Sequence, residues 1–161
     1  MKRGDKHLLI AGGIIGLGIM GLVDGIVFHQ LLEWHHVVHG HSHRMDLISD
    51  GIFNLAVTII ILYGVVRVFQ HARRDELSSS WTFYICGMLI GAGIFNLVEG
   101  LINPQILQLH HVRPGHPAEF MYDMLYLLSG VILIAIGGTI AQNRGGRNVP
   151  LEMRRKKAEM S

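Results

Sequence analysis

The sequence predicts an all-α integral membrane protein, a four-helix bundle built from two duplicated helical hairpins related by a pseudo-twofold axis along the membrane normal. Three observations carry this prediction. Four apolar runs, roughly Leu8 to Leu32, Gly51 to Phe69, Trp81 to Ile102 and Met124 to Ala141, each approach the ~20 residues that a helix needs to cross a bilayer. Lysine and arginine gather in alternate connections. A set of polar residues in the first half recurs at a constant spacing in the second.

Length and composition agree with one membrane domain. The chain has 161 residues, 50% hydrophobic and only 16% charged, and Asp24 and Glu99 are the only carboxylates inside the four runs. The first run carries an acid, has no small-residue cleavage signal and is longer than a signal core, so it reads as a retained helix. Residues 1–150 form a single transmembrane domain, with one repeat over about 8–70 and the other over about 81–142, and 151–161 is a basic cytoplasmic tail.

Orientation follows from the cations. Of the 14 Lys and Arg, all but Arg44 and Arg113 fall at Lys2, Arg3 and Lys6, at Arg67, Arg73 and Arg74, or between Arg144 and Lys157. The positive-inside rule then puts both termini and the middle loop in the cytoplasm, and the histidine-rich loops outside. The net charge of +2 is a topological signal, and no nucleic-acid partner is expected. The single Cys86 lies in an apolar run, which excludes an intramolecular disulfide and disfavours a thiolate metal site.

Within the first helix Gly12, Gly13, Gly16, Gly18, Gly21 and Gly25 allow close helix approach in lipid. This helix is expected to continue through Glu33 to His36, with Trp34 at the outer interface. Val37 to Arg44 is a short loop broken at Gly40, and Ser42 is positioned to cap a second helix from near His43 to Phe69. The third helix spans about Trp81 to His111, kinked at Pro104, and the fourth about Ala118 to Gln142, after which Gly145, Gly146 and Pro150 end regular structure.

The repeat is explicit in the polar positions. At an offset of 75, Asp24-Gly25 falls on Glu99-Gly100, Gln30 on Gln105 and His35-His36-Val37 on His110-His111-Val112. After a loop two residues shorter the offset is 73, and His43, Asp46 and Asp50 fall on His116, Glu119 and Asp123. The halves are not equivalent, since His29 falls on Pro104 and Glu33 on Gln108.

At 100° per residue, His43, Asp46 and Asp50 share an arc of about 60°, as do His116, Glu119 and Asp123, and as do His29, Glu33 and His36. Three helices with ligand-type triplets on single faces point to a metal centre. Its candidate ligands are His29, Glu33, His36, His43, Asp46, Asp50, His111, His116, Glu119 and Asp123. Glu33-x-x-His36 has the spacing of dinuclear carboxylate bundles, and the donors suit zinc, iron, manganese or oxidised copper, with more than one ion expected. His39 and His41 are candidates for capture or outer support of a metal.

Asp24 lies 11 residues from His35, on nearly the same α-helical face but ~16 Å deeper. Glu99 stands in the same way to His110. Two carboxylates at this depth require neutralisation or pairing, so Asp24 and Glu99 either share a proton in a relay or bind Asn96 or Asn103 structurally. With Glu33 as a base, they are the candidate catalytic groups.

The run Asp24-Gly25-x-x-x-His29-Gln30-x-Leu32-x-Trp34-His35-His36, followed by Asp46 and Asp50, resembles a bacterial family of small four-helix membrane proteins catalogued as a domain of unknown function. The resemblance covers nearly the whole chain. It implies a multi-pass protein of the bacterial inner membrane, sometimes encoded near copper-chaperone-like assembly factors of haem-copper oxidases, and it carries over no catalytic role. The residues themselves leave several activities open. A metal-dependent hydrolase or oxidoreductase would use metal-bound water or oxygen, with an amphiphilic substrate reached from the lipid bilayer. A metal capture, transfer or transport protein would serve a membrane metalloprotein partner such as an oxidase. A bis-histidine haem electron-transfer protein fits less well beside so many carboxylates, and homo-oligomerisation is open.

Overall fold

The computed structural model describes residues 1–37, 42–74, 76–77, 81–101 and 111–147. It contains helix α1 (Arg3–Asp24), continued by a π-helical segment (Gly25–Leu31), then α2 (His43–Ala72), α3 (Trp81–Leu101) and α4 (Glu119–Arg147). Four helical segments, Arg3–Leu31, His43–Ala72, Trp81–Leu101 and Glu119–Gly145, are long and apolar enough to cross a membrane. The protein is an all-α membrane four-helix bundle.

The helices are ordered α2, α1, α3, α4, with α1 and α3 packed together at the centre, α2 on α1 and α4 on α3. Burial follows that order: 44% and 39% of the apolar windows of α1 and α3 are buried, against 11% and 17% for α2 and α4. The exposed faces of the outer helices carry Ile52, Leu55, Ile59 and Leu62 on α2, and Leu125, Leu128, Val131 and Ile132 on α4. Such a continuous apolar surface suits contact with lipid and would be a liability in water.

Glycines let the central pair meet. A Cβ on Gly12 would strike the Tyr84 carbonyl, and one on Gly87 would strike the Leu9 carbonyl. Gly16 abuts the Met88 backbone and Gly91 the Gly13 backbone. Each contact is the other's counterpart at the offset of 75, as expected for two copies facing across a dyad. The same holds where inner and outer helices touch: Gly18 meets Val57 and Ile61, and Gly93 meets Gly130 and Ile134. In lipid, where burial of apolar area drives little association, such close backbone contact is a principal source of helix packing.

Helix ends differ from expectation in three places. The first helix stops at Leu31, short of Glu33 and His36, because the chain turns over at Glu33, whose φ of 48° is left-handed. α4 continues through Gly145 and Gly146 to Arg147; glycine lowers helix stability by only about 1 kcal/mol and does not stop a helix by itself. α2 starts at His43 and runs on to Ala72. Ser42 holds the N-cap position without its hydroxyl, through a carbonyl that accepts the Met45 and Asp46 amides. The remainder of the span expected for the third helix, with Asn103 and Pro104, together with His39, Gly40 and His41 and the basic tail, lies outside the described residues.

Candidate metal centre

Asp24 closes the α-helical part of α1 and is completely buried. Beyond it the backbone ladder widens, and the Leu32 amide reaches back five residues to the Val27 carbonyl at 2.9 Å. In an α-helix, residues five apart point about 140° away from each other. In a π-helix they stack. His29 is thereby turned onto the Asp24 face, with its Nε2 3.1 Å from Asp24 Oδ2.

After Leu32 the inverted backbone at Glu33 sends the chain back over the end of the helix. A non-glycine residue in this conformation costs roughly 1–2 kcal/mol, and its effect is to return His35 to the buried side, with Nε2 3.8 Å from Asp24 Oδ2. The His35 Nδ1–H donates to the carbonyl of Val112 at 2.8 Å. A carbonyl only accepts, so neutral His35 carries its lone pair on Nε2, toward Asp24.

Asp24, His29 and His35 thus offer ligand atoms within 4.8 Å of one another, with side chains exposed by no more than 2%. Four-coordinate zinc with bonds of ~2.0–2.1 Å has ligand edges of about 3.3 Å. The observed 3.1 Å and 3.8 Å bracket that length. With the third edge, between the two imidazoles, also within 4.8 Å, the residues fit a metal ion held by two imidazoles and one carboxylate after a modest contraction of the site.

The other nitrogen of each imidazole faces an oxygen, as is usual for metal-binding histidines: His35 through the hydrogen bond to Val112, and His29 by proximity to a carboxylate. His29 Nδ1 lies 3.0 Å from Asp50 Oδ1. Asp50, itself buried, takes the Val37 amide at 3.0 Å and His36 Nδ1 at 2.6 Å. The Tyr126 hydroxyl donates to Asp24 Oδ1 at 3.2 Å from the other half of the molecule. Phe53 and Phe28 line the imidazoles, with ring centroids 5.5 Å from His29 and 6.1 Å from His35.

The second half repeats the outer part of this arrangement. Asp123 accepts His111 Nδ1 at 2.6 Å and the Val112 amide at 2.9 Å. The hydrogen bond to Asp123, with the nearby Asp123 and Glu119 charges, outweighs desolvation and raises the His111 pKa above its ordinary value.

The other sequence candidates are dispersed. Glu33 is exposed on the turn, and His43 is exposed at the start of α2. The three-residue arc of His29, Glu33 and His36 does not form, because only His29 remains helical, and in a π-helical register. Asp46 is half-buried, with Oδ1 enclosed and no hydrogen-bond partner among the described residues. His116 accepts the Ala118 amide at 3.1 Å. Glu119 accepts the Gly115 amide at 3.3 Å and lies 3.9 Å from His111. Glu99 is half-buried on α3. Asn96 donates to Ser129 Oγ at 2.8 Å rather than to a carboxylate.

Sequence reasoning directed His35 toward Asp24 but did not include it among the ligands. The fixed α-helical period hid the Asp24–His29 contact. At the opposite end of the bundle, His7, His71 and Glu76 also approach one another. There Arg67 donates to His71 Nε2 at 3.3 Å and Arg3 lies 3.8 Å from Glu76, so two guanidinium groups already contact these side chains and disfavour a further cation.

No curated protein and no solved structure matches the chain. A family model described as "Predicted membrane protein (DUF2243)" matches residues 11–144, which include every residue of the Asp24, His29 and His35 cluster, and the chain belongs to that family.

Proposed function

We propose that this is a membrane-embedded metalloprotein whose ion is held by Asp24 Oδ2, His29 and His35 at the extracytoplasmic end of the bundle. The observation that carries the reading is the convergence, in a fully buried space, of one carboxylate and two imidazoles at separations close to a coordination edge. In a membrane protein such a buried acid needs a cation or a proton to balance it. The side assignment rests on the cations, since Arg44 and Arg113 are the only ones in the two connections at this end.

Two nitrogens and an oxygen suit zinc, iron(II), manganese or oxidised copper, and the absence of sulfur donors among the three disfavours copper(I). A bound ion would supply Lewis acidity, or a redox couple if it is iron or copper. The chain's own residues hold the site dry and fix its protons. Val112 sets the His35 tautomer, Asp50 orients His29, and Tyr126 donates to the carboxylate oxygen that faces away from the imidazoles. Exposure of 2% or less favours reactants no larger than water, dioxygen, a proton or an electron, and so an oxidoreductase over a hydrolase of amphiphilic substrates.

Elemental analysis of protein purified in detergent without a polyhistidine tag tests this. About one equivalent of a single transition ion per chain is expected, falling steeply in Asp24→Asn and His29→Gln variants that retain wild-type helical circular dichroism. Equal metal content in wild type and both variants, or none after incubation with zinc and iron(II), would reject it.

A further inference from the structure

At the end of the bundle remote from the Asp24 cluster, α1, the last turns of α2 and the start of α3 enclose a cavity of about 420 Å³. Leu8, Ile15, Val68, Phe69, Trp81 and Tyr84 are among its lining residues. Two of its lining residues, Phe69 and Trp81, are 61% and 74% exposed, so the cavity is reachable from the outside of the bundle. We propose that this groove binds one acyl chain of an anionic phospholipid, whose headgroup phosphate is held by the arginines at its rim.

Charge distribution selects the headgroup. Arg73 stacks on the Phe69 ring, with Cζ 5.6 Å from the centroid, which puts its guanidinium at the edge of the groove. Arg67 lies one residue from Val68, and Arg74 two beyond Ala72, another lining residue. The N-terminal segment and the α2–α3 connection that flank the groove carry six cations, Lys2, Arg3, Lys6, Arg67, Arg73 and Arg74, against three acids, Asp5, Asp75 and Glu76, and of the cations Arg3 pairs with Glu76 and Arg67 donates to His71. Two of those acids are already engaged: Asp5 accepts the Lys2 amide at 3.0 Å, and Glu76 pairs with His71 at 2.7 Å and with Arg3 at 3.8 Å. The His71 hydrogen bond also holds the Glu76 pKa below its ordinary value, so its charge persists and is spent locally.

The apolar lining makes the groove an acyl-chain site rather than a phosphate site alone. An alkyl chain inside it exchanges one apolar surrounding for another, so chain burial supplies fit and the arginines supply selectivity. A basic side chain near a lipid surface favours an anionic headgroup about fivefold.

Trp81 lines the groove and is its own reporter, while Trp34 belongs to the opposite end. In a Trp34→Phe variant in vesicles of phosphatidylcholine, small fractions of acyl-brominated phosphatidylglycerol should quench Trp81 several-fold more steeply than acyl-brominated phosphatidylcholine. Arg73→Gln should reduce that preference about fivefold, and Ala72→Phe, which fills the groove, should abolish it. Equal quenching by the two lipids would mean bulk contact only and overturns the proposal, as does a preference unchanged by Ala72→Phe. If Trp34→Phe fails to fold, native mass spectrometry of the wild-type protein decides: retained phosphatidylglycerol supports the site, and equal retention of both lipids overturns it.

Discussion

His36 stands to Asp50 as His111 stands to Asp123. In each pair Nδ1 meets a carboxylate oxygen at 2.6 Å, while the other oxygen takes the amide of the next residue, Val37 or Val112. The repeat thus reproduces a device that pins the incoming loop to the following helix. The halves diverge one step further in. Asp50 also reaches His29, whereas the residue in the position of His29 in the second half is proline. Duplication supplied the scaffold twice, and the candidate centre stands on the first copy.

Asp50 should therefore act on metal affinity without being a ligand. Outer carboxylates that orient metal-bound histidines typically contribute 10–100-fold to affinity. Asp50→Asn is expected to weaken binding by about that factor, with the ion still present at saturating concentration. Competition with a chromophoric chelator measures it.

Asp123→Asn should have a smaller effect on the same measurement, because Asp123 acts on the centre only through Val112, whose carbonyl holds His35. It has a separate signature in pH. The His111 pKa is raised in the folded protein, so the pair's contribution is complete below the ordinary histidine value of ~6.5 and is lost as pH rises through the folded pKa. The His111 side chain is 41% exposed, and solvent screening limits the contribution to at most ~1 kcal/mol. Histidine NMR titration should show the His111 midpoint falling back in Asp123→Asn, and the stability advantage of wild type over this variant should shrink between acid and neutral pH.

The π-helical segment gives a prediction about register. Deleting Ile26 removes the extra residue from the wide turn and favours an ordinary α-helix through this stretch. Asp24 and the histidine would then be four residues apart, about 40° from each other on one face of the α-helix. Metal content should therefore stay close to wild type, with unchanged helical circular dichroism. A loss as deep as in Asp24→Asn would mean that the centre needs the wide turn itself and not only its register.

Much of this architecture was legible because its determinants are periodic. Run length gave the four helices, and the helix-1 glycines were read as sites of close approach; that Gly12 and Gly87, or Gly16 and Gly91, are matched residues at the same offset of 75 emerges from the structure. The candidate cluster was legible in composition but not in grouping. Arcs drawn at 100° per residue placed His29 with Glu33 and His36, whereas the π turn and the inverted Glu33 place it with Asp24 and return His35 to the same site. Neither feature has a local sequence signal: Glu33 is not a residue type that favours a left-handed backbone, and the π turn starts at Gly25 where the backbone lies close against Asn54 and Phe53 of α2, a contact distant in sequence.

The dyad itself is open to test through glycines that differ only in their surroundings. A Cβ on Gly16 or Gly91 would meet backbone atoms of the facing helix, which cannot rotate away as a flexible side chain could. Gly51 and Gly138 have nothing within 4 Å of the same position. Overpacking a tight interface costs about 1–3 kcal/mol, whereas glycine to alanine on an open helix face gains up to about 1 kcal/mol through helix propensity. Gly16→Ala and Gly91→Ala should therefore lower the thermal midpoint in detergent, by similar amounts because the two sites are equivalent. Gly51→Ala and Gly138→Ala should leave it unchanged or raise it. A uniform response from all four would show that α1 and α3 do not meet backbone to backbone.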